Sequence, residues 1–300
     1  MKNTSKQLAG ALLTIGRFAA RTLAIMAVIS LSVYGAGATI YHVQETLNDF
    51  GTIDESTVSP GLGTNSCVPT ATMNSFIFLQ NEYQSILGND AFGNPVLQGG
   101  QGSWVNAADL LAGASYMNTD VTNGTTIANW IGGKVSYLNT FAPGKITFEG
   151  MESLSAAGSR PVWDTNANPT VSFLLQMLQT NEDVELGIYP TSDKSEIEMS
   201  PSIGHALTLT GLTWNDVQGN GTFDLGDSLT LDTIDPFNPN VDTQLQLQPG
   251  NPMTISGVNY NGYYLMVALA ESVPEPATAG LLLLGVGALL GSLRLRRRAS

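Results

Sequence analysis

Apolar residues repeat along this chain with one period in its first half and another in its second. Phe76, Leu79, Tyr83 and Leu87 lie three or four residues apart, the spacing that lines up side chains on one face of a helix. Asn65 and Ser66 suit an N-cap, Pro69 suits a first turn where its missing N–H costs nothing, and Gly88-Asn89 supplies a stop. The helix should therefore begin at or just before Cys67 and be half-buried along one stripe. Further helices are expected over 105–116, over 125–139 with Ile127, Trp130, Ile131, Val135 and Leu138 inward, and over 170–179, with a short strand near 145–149. Beyond residue 180 the pattern shortens towards alternation, and strands are expected over 184–189, 205–213, 228–234, 252–258 and 263–270. Residues 39–64 read as extended and loop-like, because Gly51, Pro60, Gly61 and Gly63 break any regular run. Helices gather before the strands, so the expected class is α+β, a helical N-terminal half packed on a mainly antiparallel β-sheet.

Two stretches fit neither period. Lys2, Lys6, Arg17 and Arg21 precede an apolar run from Leu23 to Val33, and Ala36-Gly37-Ala38 offers small residues for cleavage; residues 1–38 read as an export signal, with an uncleaved anchor as the alternative. At the other end Val273-Pro274-Glu275-Pro276 is followed by an apolar segment from Ala277 to Leu293 and then by Arg294, Arg296, Arg297 and Arg298. That segment is barely long enough to span a bilayer, and the arginines would stay cytoplasmic. Motif, span and basic tail together resemble the PEP-CTERM sorting signal of Gram-negative bacteria. The resemblance implies export, recognition by an exosortase, removal of the tail after transient anchoring in the inner membrane, and delivery to the cell surface or extracellular matrix. It leaves residues 39–272 as one domain, touching membrane only through the terminal segments.

Charge narrows the partners. Within 39–272 the basic residues are Lys134, Lys145, Arg160 and Lys194, against 24 acids, a balance of about −20. Nucleic acid and anionic lipid are poor partners for such a surface, whereas calcium or a cationic ligand is more natural. The chain holds 1 cysteine, so no internal disulfide can form, and a free thiol in an oxidising compartment has to be buried or used.

The helix start is where a used thiol belongs, since its free N–H groups and positive dipole favour a thiolate and could hold an oxyanion. Of the 2 histidines, His42 falls in the expected loop. His205 opens the alternating strand Gly204-His205-Ala206-Leu207-Thr208-Leu209-Thr210-Gly211, in which Leu207 and Leu209 face one side, Ala206 and Thr208 the other, and Gly204 leaves space for a neighbour. An imidazole on a rigid strand end suits a base for the thiol. The next strand ends Leu231-Asp232-Thr233-Ile234-Asp235-Pro236; Asp235 there is either a turn former or the carboxylate that orients the ring, with Asp232 and Asn238 as other candidates. These three segments, in this order, are similar to the peptidase domain of bacteriocin-processing, papain-like cysteine peptidases. The resemblance spans roughly residues 60–240 and implies a papain-like fold, a peptide substrate, Cys67 as nucleophile, His205 as base and Asp235 as orienter. Two positions depart from it. Val68 stands where the family has glycine, and the family's glutamine has no counterpart between Gly61 and Ser66.

Between the His and Asp strands lies Asp216-Val217-Gln218-Gly219-Asn220-Gly221-Thr222-Phe223-Asp224-Leu225-Gly226-Asp227. Oxygen ligands fall at loop positions 1, 3, 5, 9 and 12, with glycine at 6, in the register of an EF-hand calcium loop. Asp216, Gln218, Asn220, Asp224 and Asp227 would bind through side chains and Thr222 through its carbonyl, holding a structural Ca2+ between two strands. The whole reads as an exported, surface-sorted papain-like cysteine peptidase or related acyl hydrolase, stabilised by calcium. The alternative is a catalytically idle relative acting as a binding or structural protein of the extracellular matrix.

Overall fold

The computed structural model describes residues 38–59, 62, 65–155, 160–199 and 204–274. The expected export signal and the expected C-terminal span lie outside the described residues. Among the described residues, no helix is long and apolar enough to cross a membrane.

Nine strands form one sheet: β1 (Thr39–Gln44), β2 (Thr147–Glu152), β3 (Asp164–Asn166), β4 (Asp183–Tyr189), β5 (His205–Asp216), β6 (Ser228–Ile234), β7 (Asp242–Gln248), β8 (Thr254–Ser256) and β9 (Tyr264–Ser272). The helices are α1 (Cys67–Glu82), α2 (Gln84–Leu87), α3 (Trp104–Ala112), α4 (Ile127–Phe141), α5 (Val171–Gln179) and α6 (Lys194–Met199). Strand β4 decides the architecture, because it pairs antiparallel with β5 on one edge and with β9 on the other. The path β5-β6-β7-β8-β9 therefore closes through β4 into a six-stranded antiparallel barrel, with β1 added beside β5 and β2 and β3 beside β9. Closure satisfies the backbone groups that an open sheet would leave along those two edges.

This overturns the expected class: there is no helical half laid on an open sheet, and the papain-like arrangement is not formed. Two strands absent from the sequence reading account for much of the difference. Strand β7, Asp-Thr-Gln-Leu-Gln-Leu-Gln, alternates exposed and buried along its length and inserts between β6 and β8. Asp242, Gln244, Gln246 and Gln248 face solvent, and Thr243, Leu245 and Leu247 are buried. Strand β1, expected as loop, pairs with β5 from Thr39↔Asp216 to Gln44↔Gly211.

The barrel wall separates two cores. Inside, Val184, Leu186 and Ile188 of β4, Leu207 and Leu209 of β5, and Leu245 and Leu247 of β7 pack with Leu174 and Leu178 of α5. Outside, Ala206 of β5 and Val267 and Leu269 of β9 pack against α1, α3 and α4. The alternation expected for β5 is thus present from Ala206 to Leu209, with Leu207 and Leu209 inward and Ala206 and Thr208 towards α1; past the irregularity between Leu209 and Gly211 the parity switches, and Leu212 and Trp214 join the inner core. Helix α1 itself is not half-buried. From Cys67 to Gln80 it is buried on every side, pressed between the barrel and the other helices, which is why an apolar stripe understated it. Polar groups are bonded across this buried seam: Thr208 Oγ1 donates to the Ala71 carbonyl at 2.9 Å, and Thr72 Oγ1 accepts from Trp130 Nε1 at 3.1 Å.

Candidate active site

Helix α1 starts at Cys67, as its N-cap and proline signals require, although Ser66 makes no side-chain cap. Ser66 Oγ instead donates to the Glu55 carbonyl at 2.8 Å. The preceding loop is clamped to the helix. Gly51 lies so close that a Cβ there would meet the Asn74 backbone at 2.9 Å, and the Asn74 amide bonds both Ile53 N and Ile53 O. Residues Glu55–Thr57 then make a 3-10 turn capped by Asp54.

His205 stands at the start of β5, and Gly204 before it has the role expected of it: a Cβ would lie 2.3 Å from the Tyr189 ring. His205 Nε2 meets Asp235 Oδ1 at 2.8 Å. The same carboxylate accepts Phe237 N–H at 2.9 Å through Oδ1 and the Tyr260 hydroxyl through Oδ2. Of the three candidates, Asp235 is thus the one beside the ring, while Asp232 accepts from Gln244 Nε2 and Asn238 donates its N–H to the Asp235 carbonyl. Tyr260 also stacks on His205, with centroids 5.3 Å apart and planes at 23°. Ligand atoms of Glu55, Cys67 and His205 all lie within 4.8 Å of one another.

The electrostatics follow from burial and partners. Burial would hold the His205 pKa down, but its hydrogen bond to Asp235 and its interaction with Cys67 outweigh that and push it up to about 10. Burial would raise Asp235, yet its bonds from His205, Tyr260 and Phe237 hold it below the usual carboxylate range. Glu55 is pushed up to about 7, chiefly by burial, with His205 opposing and Asp235 and Asp54 reinforcing the shift. Cys67 is 8% exposed. The arrangement is a sulfur at a helix start, an imidazolium beside it and a carboxylate fixing the ring.

Residues 272–298 match the PEP-CTERM protein-sorting motif. Such signals are recognised by exosortase machinery, and the match implies export with membrane-associated sorting through the C-terminus. No curated protein matches the chain. Neither the fold nor these comparisons support a domain of the bacteriocin-processing, papain-like family.

Sequence reasoning missed Glu55 and Tyr260. Glu55 lies twelve positions before Cys67 in a stretch without periodicity, and Tyr260, at φ 54°, sits in the β8–β9 turn; neither belongs to a recognisable spacing. His42, set aside earlier, lies on β1 with Nδ1 2.8 Å from Thr213 Oγ1, away from this site.

The loop read as a calcium site joins β5 to β6. Asp216 accepts Gly219 N–H and Asn220 N–H through Oδ1 and Gly221 N–H through Oδ2. Asn220 Nδ2 donates to Gln218 Oε1 at 3.2 Å and to Asp224 Oδ2 at 3.0 Å, so positions 3, 5 and 9 converge. Asp224 Oδ1 is buried without a partner, an oxygen that a cation would satisfy. Thr222 donates its N–H to Asn220 Oδ1 at 2.8 Å. Position 12 fits less well, because Asp227 accepts from Val217 N, Asp224 N and Trp214 Nε1.

Proposed function

We propose that this exported protein is a cysteine-dependent acyl hydrolase of the peptidase type, working at the cell surface or in the extracellular matrix. The observation that carries the reading is His205, bonded through Nε2 to Asp235 at 2.8 Å and facing the sulfur of Cys67. In the mechanism this supports, the ring holds the proton given up by the thiol, and Cys67 Sγ attacks a carbonyl carbon. Collapse of the tetrahedral intermediate forms a thioester as the amine leaves with the proton from His205; water, activated by the same ring, then releases the acid. Asp235 keeps the imidazolium oriented through both steps. N–H groups at the start of α1 are available to the oxyanion. The substrate class we favour is a peptide.

The loop 216–227 is proposed to hold a structural Ca2+, with Asp216, Gln218, Asn220, Thr222 and Asp224 as ligands and Asp227 as the weakest. Its converging oxygens and the unpartnered Asp224 Oδ1 support that assignment.

The second reading, a binding or structural protein of the matrix, is favoured by one fact: at 8% exposure Cys67 offers little surface to a substrate. Alkylation of the full chain by iodoacetamide between pH 5 and 9 separates the two. An activated thiol reacts well below pH 7, and Cys67→Ala abolishes the labelling. A thiol that reacts only near its ordinary range of about 8–9 would sink the enzyme reading.

A further inference from the structure

Glu55 is a group beside the sulfur to which the mechanism above gives no work, and its backbone is held at two points. Its N–H donates to the Pro236 carbonyl at 3.0 Å, next to Asp235, and its carbonyl accepts from Ser66, next to Cys67. The turn that carries it is thus pinned to both halves of the site. The residue is 2% exposed, and among the described residues neither carboxyl oxygen has a hydrogen-bond partner. A buried carboxyl with no donor to accept from is costly when ionised. With Asp235 already paired to the single ring of His205, a second carboxylate charge beside that ring would be in excess.

We propose that Glu55, in its acid form, is a catalytic residue that donates its O–H to the oxyanion formed when Cys67 attacks a carbonyl. The assignment rests on the hydrolase reading and supplies the side-chain donor that it lacked. In the resting site the O–H has no acceptor; the negative oxygen generated within reach of Sγ provides one, so the bond strengthens as the transition state is approached. An ionised carboxylate at the same place would repel that oxygen. The groups facing Glu55 are Cys67 from α1, His205 from β5, Asp235 just beyond the end of β6, Tyr260 from the β8–β9 turn and Asp54 in its own loop; only His205 favours the ionised form. The elevated pKa of Glu55, about 7, agrees with a proton present in neutral and acidic solution.

Two reactions at the same sulfur isolate the role. Acylation by p-nitrophenyl acetate passes through an oxyanion, whereas displacement on iodoacetamide does not. In the full chain, Glu55→Ala should slow the acylation burst about a hundredfold and leave alkylation within about twofold. Glu55→Gln, which keeps a donor, should retain acylation. The ratio of acylation to alkylation should fall above about pH 7 in the wild type, as Glu55 ionises, and stay level in Glu55→Gln. Equal losses in both reactions with Glu55→Ala, no loss in either, or a persistent alkaline fall in Glu55→Gln would overturn the assignment. So would a stoichiometric zinc ion, found in the purified protein and lost in Glu55→Gln, because Glu55, Cys67 and His205 would then be its ligands. Absence of any burst above that of Cys67→Ala would remove the hydrolase reading with it, an outcome distinct from normal acylation that ignores Glu55.

Discussion

Helix α4 brings Lys134 to the outer face of the barrel wall, where Glu185 and Glu271 bind its ammonium and Asp183 lies close by; at the ends of β5 and β6, Glu55 and Cys67 gather instead around the ring of His205 and its partner Asp235. Each cluster sets several acidic groups against one cation. The first is sealed: Lys134, Asp183, Glu185 and Glu271 are all within 1% of complete burial. Burial alone would strip the proton from Lys134, but Glu185, Glu271 and Asp183 together raise its pKa. Burial in turn raises Glu185 to about 8. The second cluster contains a ring that titrates and a sulfur that can form a covalent bond. Sealed charge fastens a helix to a barrel; half-sealed charge of the same sign and count can do chemistry. Geometry alone does not separate them, since both bring three potential metal ligands within 4.8 Å. What separates them is whether the cation in the middle is a permanent charge or a proton carrier.

Removing the proton carrier gives the largest expected effect. Cys67→Ala should abolish the ester burst, and His205→Ala should lower it by about 10⁴-fold or more. Removing the permanent charge should instead cost stability and spare the thiol's reactivity. Lys134→Met leaves three buried carboxyl groups without a cation and should cost about 3–5 kcal/mol in urea unfolding, with the alkylation rate of the folded fraction unaltered. Recovery of that stability on adding Glu185→Gln and Glu271→Gln would sharpen the contrast, and a loss of alkylation with Lys134→Met would break it.

Acidity should act on both clusters at once. Glu55 and Glu185 titrate near 7 and 8 in the folded chain, well above an ordinary value of 4.5, so the folded state binds their protons more tightly than the unfolded state. Their contribution is complete below about pH 4.5 and is lost as the pH rises through 7 and 8. His205, raised from 6.5 to about 10, adds a loss of the same sign over that higher window. The melting temperature should therefore be about 5–10 °C lower at pH 8.5 than at pH 5.5; a rise over that interval would contradict the assigned shifts. Smaller effects come from the periphery. Tyr260→Phe, which takes one donor from Asp235, should slow acylation by about 3–10-fold. Chelation of calcium should lower the melting temperature by a few degrees, about 2–4 °C, and Asp224→Ala should make the chain indifferent to the chelator.

The site was more legible than the fold. Cys67 could be placed from capping and proline chemistry, and His205 from the alternation and the glycine of its strand, because these are rules of short range. Asp235 could be singled out only as one of three, since the choice depended on which carboxyl the register of β5 and β6 would set beside the ring. Barrel closure was illegible for a related reason. Strand β4 alternates Asp183, Glu185 and Gly187 with Val184, Leu186 and Ile188, a pattern that ordinarily means one wet face. Here the acidic face is covered by α4 and neutralised by Lys134, a contact between segments about fifty residues apart. Nothing local distinguishes a carboxylate bound for solvent from one bound for a buried lysine. Glu55 was missed for the same cause: its importance lies in backbone bonds to Pro236 and Ser66, and neither partner is near enough in sequence to leave a spacing.

The last strand carries a mechanical corollary. Glu271 and Ser272 of β9 are paired with Asp183 of β4 and Thr147 of β2, and the sorting motif begins at residue 272. No spacer intervenes. A machine that grips the tail would draw along β9, loading the flanking ladders in shear so that many hydrogen bonds resist together. The anchorage at that end is thus placed to bear tension, and a flexible insert after Val273 would slacken it without touching Cys67.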